Sequence, residues 1–341
     1  MNPQVIQEIV KSLRDIEEKR RRIGEKIRSL KNDLSKSLIL KVNPHPLDRL
    51  TVLGVDGSIV SHEYHDLLLI MVRSIAVFFS FEDNTLSECF YYPNSTPEIE
   101  VCPIYGFQSD EIKSISSQRR LESEVKMAIE AIDEFKPDII LLDGSIVPQI
   151  SDKPKKKLIR LYEKLYARCM DDGLSLAGVI EDSRGTRFVN MLLNEIMPNK
   201  FKDKEEFFQK SNDTNILNHV LDAGERTFGF PYSDAPGDHP VLKEFDPEYA
   251  GKIYSFYMKT VDFDRPLRVE YLRHDNDDFI AGTVFSLSMF HSDYGFPSIL
   301  IEADERVRIS RKDLDHLYRV LIEELGDISS IMRMRRERRP F

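Results

Sequence analysis

The chain has 341 residues, 48 Lys and Arg against 58 Asp and Glu, and a formal net charge of −10. Hydrophobic residues make up 41% and charged residues 31%, a globular composition that excludes a wholly disordered chain. Its three cysteines, Cys89, Cys102 and Cys169, form no CxxC pair, which argues against a thiolate zinc site and for a reducing, cytoplasmic setting.

The N-terminal segment is the most periodic. Ile6, Ile9, Leu13, Ile16, Ile23, Ile27, Leu30 and Leu34 alternate spacings of three and four once Arg20 takes one seam position, which makes a heptad stripe. Residues 1–42 therefore read as a long amphipathic helix, packed on its own domain, paired with a partner subunit or lying on DNA. Pro44 and Pro46 end it. Leu50–Ser58 reads as a buried strand, Leu67–Phe81 as one or two more, and Glu88–Tyr92 as another. The apolar run Leu67–Phe79 is too short to span a bilayer and Arg73 interrupts it, so no membrane partner is expected.

Ser116–Phe135 reads as a helix, because Leu121, Val125, Ala128, Ile129 and Ile132 share one face. Pro137 stops it, and Asp138–Ser145 returns to buried strand. Lys155–Met170 reads as helix, Leu174–Ile180 as strand and Arg187–Ile196 as helix. Over residues 198–252 the apolar density falls while Gly, Pro, Asp and Asn accumulate, which reads as a surface insertion without a hydrophobic core. Ile253–Val261, Leu267–Leu272 and Thr283–Phe290 read as strands, and Pro297–Ala303 as a strand or the start of a helix. Ser310 opens a last helix with Asp313 as a capping partner, and the basic tail RMRRERR follows at 333–339. The expected organisation is a helix over 1–42, a domain over 48–310 carrying the 198–252 insertion, and a C-terminal helix and tail over 311–341.

This order, several strands, then helix, strand, helix, strand, is that of a ribonuclease-H-like α/β core with a mixed sheet. In that architecture the first strand and the strand after the first helix lie side by side. The same phrase occurs at both places: VDGS at 55–58 and LDGS at 142–145. Asp-Gly is a common turn dipeptide, and one copy would mean no more than that. Two copies at matching strand ends point to a pair of carboxylates, Asp56 and Asp143, able to share hard divalent ions such as Mn2+ or Mg2+. Two such ions about 4 Å apart activate a water and stabilise the leaving oxygen in phosphodiester hydrolysis. Glu124 is the best third carboxylate, since it shares a helix face with Leu121 and Ala128; Glu122 is its rival.

With these residues, LGVDGS, the RRLESEV helix, DIILLDGS, LAGVIEDSRGT, LDAGERTFGF and GFPSILIEADE, the chain resembles the NurA nuclease family over residues 50–310. The resemblance implies a Mn-dependent nuclease cutting single-stranded DNA and DNA ends, with 5′-to-3′ exonuclease activity. It also implies a homodimer that works with HerA, a hexameric DNA-translocating ATPase, in double-strand-break processing. By position Asp56, Glu124 and Asp143 match the family's metal carboxylates. The family's C-terminal tyrosine and, eight residues on, its histidine are replaced by Phe296 and Asp304. Asp304 can still ligate a metal, whereas Phe296 cannot replace a phenol; Tyr294 and His291 stand nearby. Glu181 stands where a lysine is expected. The departures keep a second reading open, a weakly active or non-catalytic NurA-like subunit of the ATPase complex. Another ribonuclease-H-like nuclease, cutting RNA or Holliday junctions, is the third.

Arg119, Arg120, Lys155, Lys156, Arg184 and Arg187 are the candidate phosphate contacts. His62 and His65 read as surface histidines. No GxxxxGK[ST] and no GxGxxG occur, so ATP energy would come from a partner and a dinucleotide site is unsupported.

Overall fold

A computed structural model describes residues 3–29, 38–108, 111–150, 154, 156–196, 211–273 and 277–326. Lys155 and the basic tail at 333–339 lie outside the described residues. In chain order the elements are α1 (Pro3–Ser29), β1 (Ile39–Lys41), β2 (Thr51–Glu63), β3 (Leu68–Glu82), β4 (Thr85–Tyr92), β5 (Glu100–Ile104), α2 (Ile112–Phe135), β6 (Ile139–Asp143), α3 (Lys156–Asp172) and β7 (Ser175–Ile180). There follow α4 (Arg187–Met191), α5 (Asp213–Leu217), β8 (Glu225–Thr227), β9 (Phe230–Pro231), α6 (Pro247–Ala250), β10 (Ile253–Lys259), β11 (Leu267–Leu272), α7 (Asp277–Ser288), α8 (Ser298–Val307) and α9 (Arg311–Leu325).

The chain divides into two compact units. A core unit comprises residues 47–178, 235–251 and 298 onward, and a second unit comprises residues up to 46, 179–234 and 252–297.

In the core unit the strand order is β7-β6-β2-β3-β4, with β5 also on β3. β2, β3 and β4 form an antiparallel meander. β6 returns through α2 and lies parallel to β2, in register from Val52 opposite Ile139 to Val55 opposite Leu142. This is the ribonuclease-H-like arrangement that the order of elements predicts. Leu67–Phe81 resolves into one long strand. It is apolar on both faces because α2 and α8 both pack against it. Leu121, Val125, Ala128, Ile129 and Ile132 are the buried stripe of α2, and its end is closed by Lys136, whose left-handed backbone lets its N–H reach Ile132 O. α9 carries the full capping box, Ser310 and Asp313 each accepting at the other's backbone. It is anchored by Tyr318 stacked on Tyr64, ring centroids 5.4 Å apart.

In the second unit β1, β8, β10 and β11 form an antiparallel run, with β9 beside β10. The helix expected over 1–42 gives way to strand β1 at Ile39–Lys41, and two further expectations need correction here. Thr283–Phe290 is not a strand, since Asp277–Ser288 is helical. Its buried positions are Ile280, Ala281, Gly282, Thr283, Val284, Leu287 and Ser288, most of the way round the helix, so no one-sided stripe marks it in the sequence. Asp277 and Asp278 in its first turn suit the helix dipole. Secondly, part of 198–252 is core. Ile216, Leu217, Val220, Leu221 and Phe230 join Ile23, Phe188 and Leu192 in one buried cluster, while residues 197–210 lie outside the described residues. The composition misled because the turns there are polar while the few apolar side chains all point inward. Buried Asp213 organises this cluster. Its carboxylate accepts from the N–H groups of Phe188 and Val189 at 3.0 and 2.9 Å and from the Tyr257 hydroxyl at 2.8 Å.

Leu30 and Leu34 of the heptad stripe lie outside the described residues, and the rest of the stripe splits along α1. Its C-terminal part is held: Ile23 is buried, Gly24 abuts His219, and Arg28 pairs with Asp222. Val5, Ile6, Ile9, Val10, Leu13 and Ile16 are exposed.

Candidate active site

The site is built where β2 loses its parallel neighbour. The pairing ends at Val55 opposite Leu142, and the next residue on each strand is an aspartate, Asp56 and Asp143. Asp143 closes β6. Asp56 does not end its strand, as the sequence implies; β2 runs on to Glu63, with Asp56 opposite Ile75 of β3. A carboxylate in mid-strand under two packed helices pays in lost hydration, so Asp56 is a costly residue to keep for structure alone.

Glycines decide how closely the helices come. A Cβ on Gly54 would lie 2.8 Å from Ile299 of α8. A Cβ on Gly57 would lie 2.7 Å from Glu124 Cγ and 2.8 Å from its Oε1. The Glu124 carboxylate thus rests against the bare Cα of Gly57, the residue next to Asp56. Ser74, opposite Gly57 in the β2–β3 register, donates to or accepts from Ser123 at 2.8 Å. That contact fixes the helix turn that carries Glu124.

The two glutamates differ in what they touch. Both are buried. Glu124 accepts from Arg120 at 2.5 Å and is repelled by Asp56 and Asp143. Glu122 faces away from them, accepting from Lys157 at 3.1 Å with Arg119 at 3.7 Å. Burial pushes the Glu124 carboxyl up to about 8, with Arg120 opposing and the two aspartates adding to the rise. Burial likewise raises Asp56 to about 6, against the pull of the Gly57 N–H at 2.6 Å and of Arg120, and with a further push from Asp304. Three acidic groups thus face one guanidinium.

Asp304 lies on α8 with its side chain exposed, paired with Arg308 at 3.2 Å. Phe296 is buried in the second unit, its ring against Tyr294 at 6.1 Å. Of the expected phosphate contacts, Arg120 is at the carboxylates. Arg119 is turned to Glu122, and Lys156 starts α3 at the surface. Arg184 and Arg187 belong to the second unit, Arg184 exposed and Arg187 paired with Glu195 and Asp234. Sequence reading missed the Ser74–Ser123 contact and the cluster of Tyr91 on β4 with Glu302 and Arg306 on α8. In that cluster the Tyr91 hydroxyl donates to Glu302 at 2.7 Å and Arg306 lies over the ring. No spacing signals contacts between elements this far apart in the chain.

The donors fit a hard divalent cation: three carboxylates on adjoining elements, Asp56 and Glu124 raised chiefly by burial. Among the described residues, however, no three His, Cys, Asp or Glu side chains already converge on one point. Arg120 provides the compensating charge instead. Among the described residues no helix is long and apolar enough to cross a membrane.

Comparison with known proteins agrees with this architecture. The NurA nuclease from Sulfolobus solfataricus superposes with a TM-score of 0.60 at 15% identity, over 95% of this chain and 98% of that one. A crystal structure of NurA with manganese gives 0.48 at 14% identity, over 95% and 99%. One of NurA bound to dAMP and manganese gives 0.47 at 13%, over 96% and 98%. No curated protein sequence matches the chain. The model of the NurA domain matches residues 50–309, most of the chain, and the protein belongs to the NurA family.

Proposed function

We propose that the protein is a divalent-metal-dependent deoxyribonuclease, cutting single-stranded DNA internally and digesting ends 5′ to 3′. What supports this most is the parallel register that sets Asp56 beside Asp143, with Glu124 seated against Gly57. Family membership supports the substrate class. A bound Mn2+ or Mg2+ supplies activation of a water and charge compensation at the leaving oxygen. Asp56, Asp143 and Glu124 hold it through carboxylate oxygens, and Asp304 is a further ligand from α8. Burial of Asp56 and Glu124 keeps bulk water from their oxygens and makes them strong partners for a cation. Arg120 and Lys156 meet backbone phosphates, and contacts of that kind carry no base information, so sequence preference is low.

The protein acts in the cytoplasm as a homodimer with a HerA-type hexameric ATPase in double-strand-break repair. The uncovered seam of α1 supports an association surface. A non-catalytic subunit is the second reading, favoured by Phe296 being buried and Asp304 being turned to Arg308. Asp56→Ala separates the two. Loss of cleavage with the ATPase still bound supports the enzyme. Unchanged behaviour in every assay supports the subunit.

A further inference from the structure

Arg119 and Arg120 look equivalent in sequence, yet α2 sends them to different places. Arg119 faces an outer pocket of about 140 Å3 lined by Glu100, Cys102 and Glu122. Arg120 lies on the turn below Glu124, Nη1 to Oε1 2.5 Å, in the field of Asp56, Asp143 and the Tyr162 ring hydroxyl of α3. Glu124 itself is hemmed in. Its stem rests on Gly57, and the Ser74–Ser123 contact pins the neighbouring residue. Arg120 is not hemmed in to the same degree: its side chain keeps 32% of its surface exposed, against 9% for Glu124. Of the two partners, the guanidinium is the one free to leave. A divalent cation and a guanidinium on the same carboxylate oxygen repel each other and compete for it.

We propose that Arg120 is a displaceable counter-cation. It holds the carboxylates together in the metal-free protein, gives up Glu124 when the divalent ion binds, and then takes the phosphate next to the bond to be cut. The inference rests on the metal-nuclease reading and adds a conformational step to it. A guanidinium suits both roles, since its planar fork matches carboxylate and phosphate alike. In the exchange the guanidinium changes its ion-pair partner, and a proton held by Glu124 leaves to solvent as the cation binds. Arg120 is thus a positioning residue before the metal arrives and a phosphate contact after it.

The sign of the effect distinguishes this from a structural role. Mn2+ is titrated calorimetrically into the full chain without DNA, for the wild type, Arg120→Gln, Arg120→Lys, Asp56→Asn and Asp143→Asn, each checked by circular dichroism and thermal melting. Arg120→Gln is expected to melt lower than the wild type in chelator, yet to bind Mn2+ about tenfold more tightly, the loss of one charged hydrogen bond as competitor. Arg120→Lys keeps the charge and is expected to stay near wild type. With Ca2+ in place of Mn2+, a single-stranded oligodeoxynucleotide is expected to bind Arg120→Gln about tenfold more weakly, by the same measure. Mn2+ affinity that is unchanged or weaker in Arg120→Gln, while Asp56→Asn and Asp143→Asn abolish binding, overturns the exchange and leaves the metal site standing. Mn2+ binding indifferent to both aspartate variants overturns the metal site and the exchange with it.

Discussion

Asp56, Asp143 and Glu124 differ in what surrounds them, and that difference has a measurable sign. Glu124 is held near 8 by burial first and by the two aspartates second. A carboxyl raised from its ordinary value of 4.5 binds its proton more tightly in the folded chain than in the unfolded one. Its contribution to stability is therefore complete below pH 4.5 and is lost as pH rises through about 8. Asp56 loses its own contribution between its ordinary 3.8 and about 6. In chelator the melting temperature should fall from pH 5 to pH 8. Glu124→Gln, neutral throughout, should flatten that fall, and a slope as steep as the wild type's would show that Glu124 titrates normally. The two DGS phrases made the aspartates legible from sequence. Glu124 was separable from Glu122 only by what each touches, because both sit near the same apolar stripe.

The elements work through their closest approaches. β2 admits α8 at Gly54 and the Glu124 carboxylate at Gly57, and either glycine would clash if it carried a methyl group. Gly57→Ala should cost about 1–3 kcal/mol of stability as an overpacked core position. It should also weaken Mn2+ binding, because Glu124 must retreat; denaturant melts and calorimetry read the two effects. Wild-type Mn2+ affinity in Gly57→Ala would mean that Glu124 does not belong to the site. Long strands and helices with clear period were legible: β3, α2 and the capping box of α9 follow from Leu67–Phe81, the Leu121–Ile132 stripe and Ser310 with Asp313. The helix at Asp277–Ser288 was not, because Thr283, Val284 and Phe285 have strand propensity and tertiary packing overrode it. Nor was the core role of Ile216 to Phe230, whose apolar residues are scattered among turn formers.

At the scale of the whole molecule, the chain carries a net charge of −10, so the proposed hold on DNA falls to local cations, and binding should weaken steeply with salt. The uncovered half of the α1 seam, Ile6 to Ile16, is the part of the heptad stripe that the second unit does not cover. If it pairs with a second copy, Ile9→Lys with Leu13→Lys should convert dimer to monomer in sedimentation velocity with the melting temperature kept. A dimer that survives both changes places the contact elsewhere. The family was legible because its two DGS phrases stand where β2 and β6 lie side by side. The Phe296 and Asp304 departures were legible too, but only the contacts of Phe296 with Tyr294 and of Asp304 with Arg308 say what those residues do instead.

The account turns on metal-dependent cleavage by paired aspartates. The most direct measurement is digestion of end-labelled single-stranded DNA by the full chain, in Mn2+ and in chelator, beside Asp56→Asn and Asp143→Asn. The account predicts cleavage in Mn2+, none in chelator, and a loss of about a thousandfold in each variant, the scale of several kcal/mol of charge stabilisation. Cleavage that persists in either folded variant, or in chelator, would contradict it.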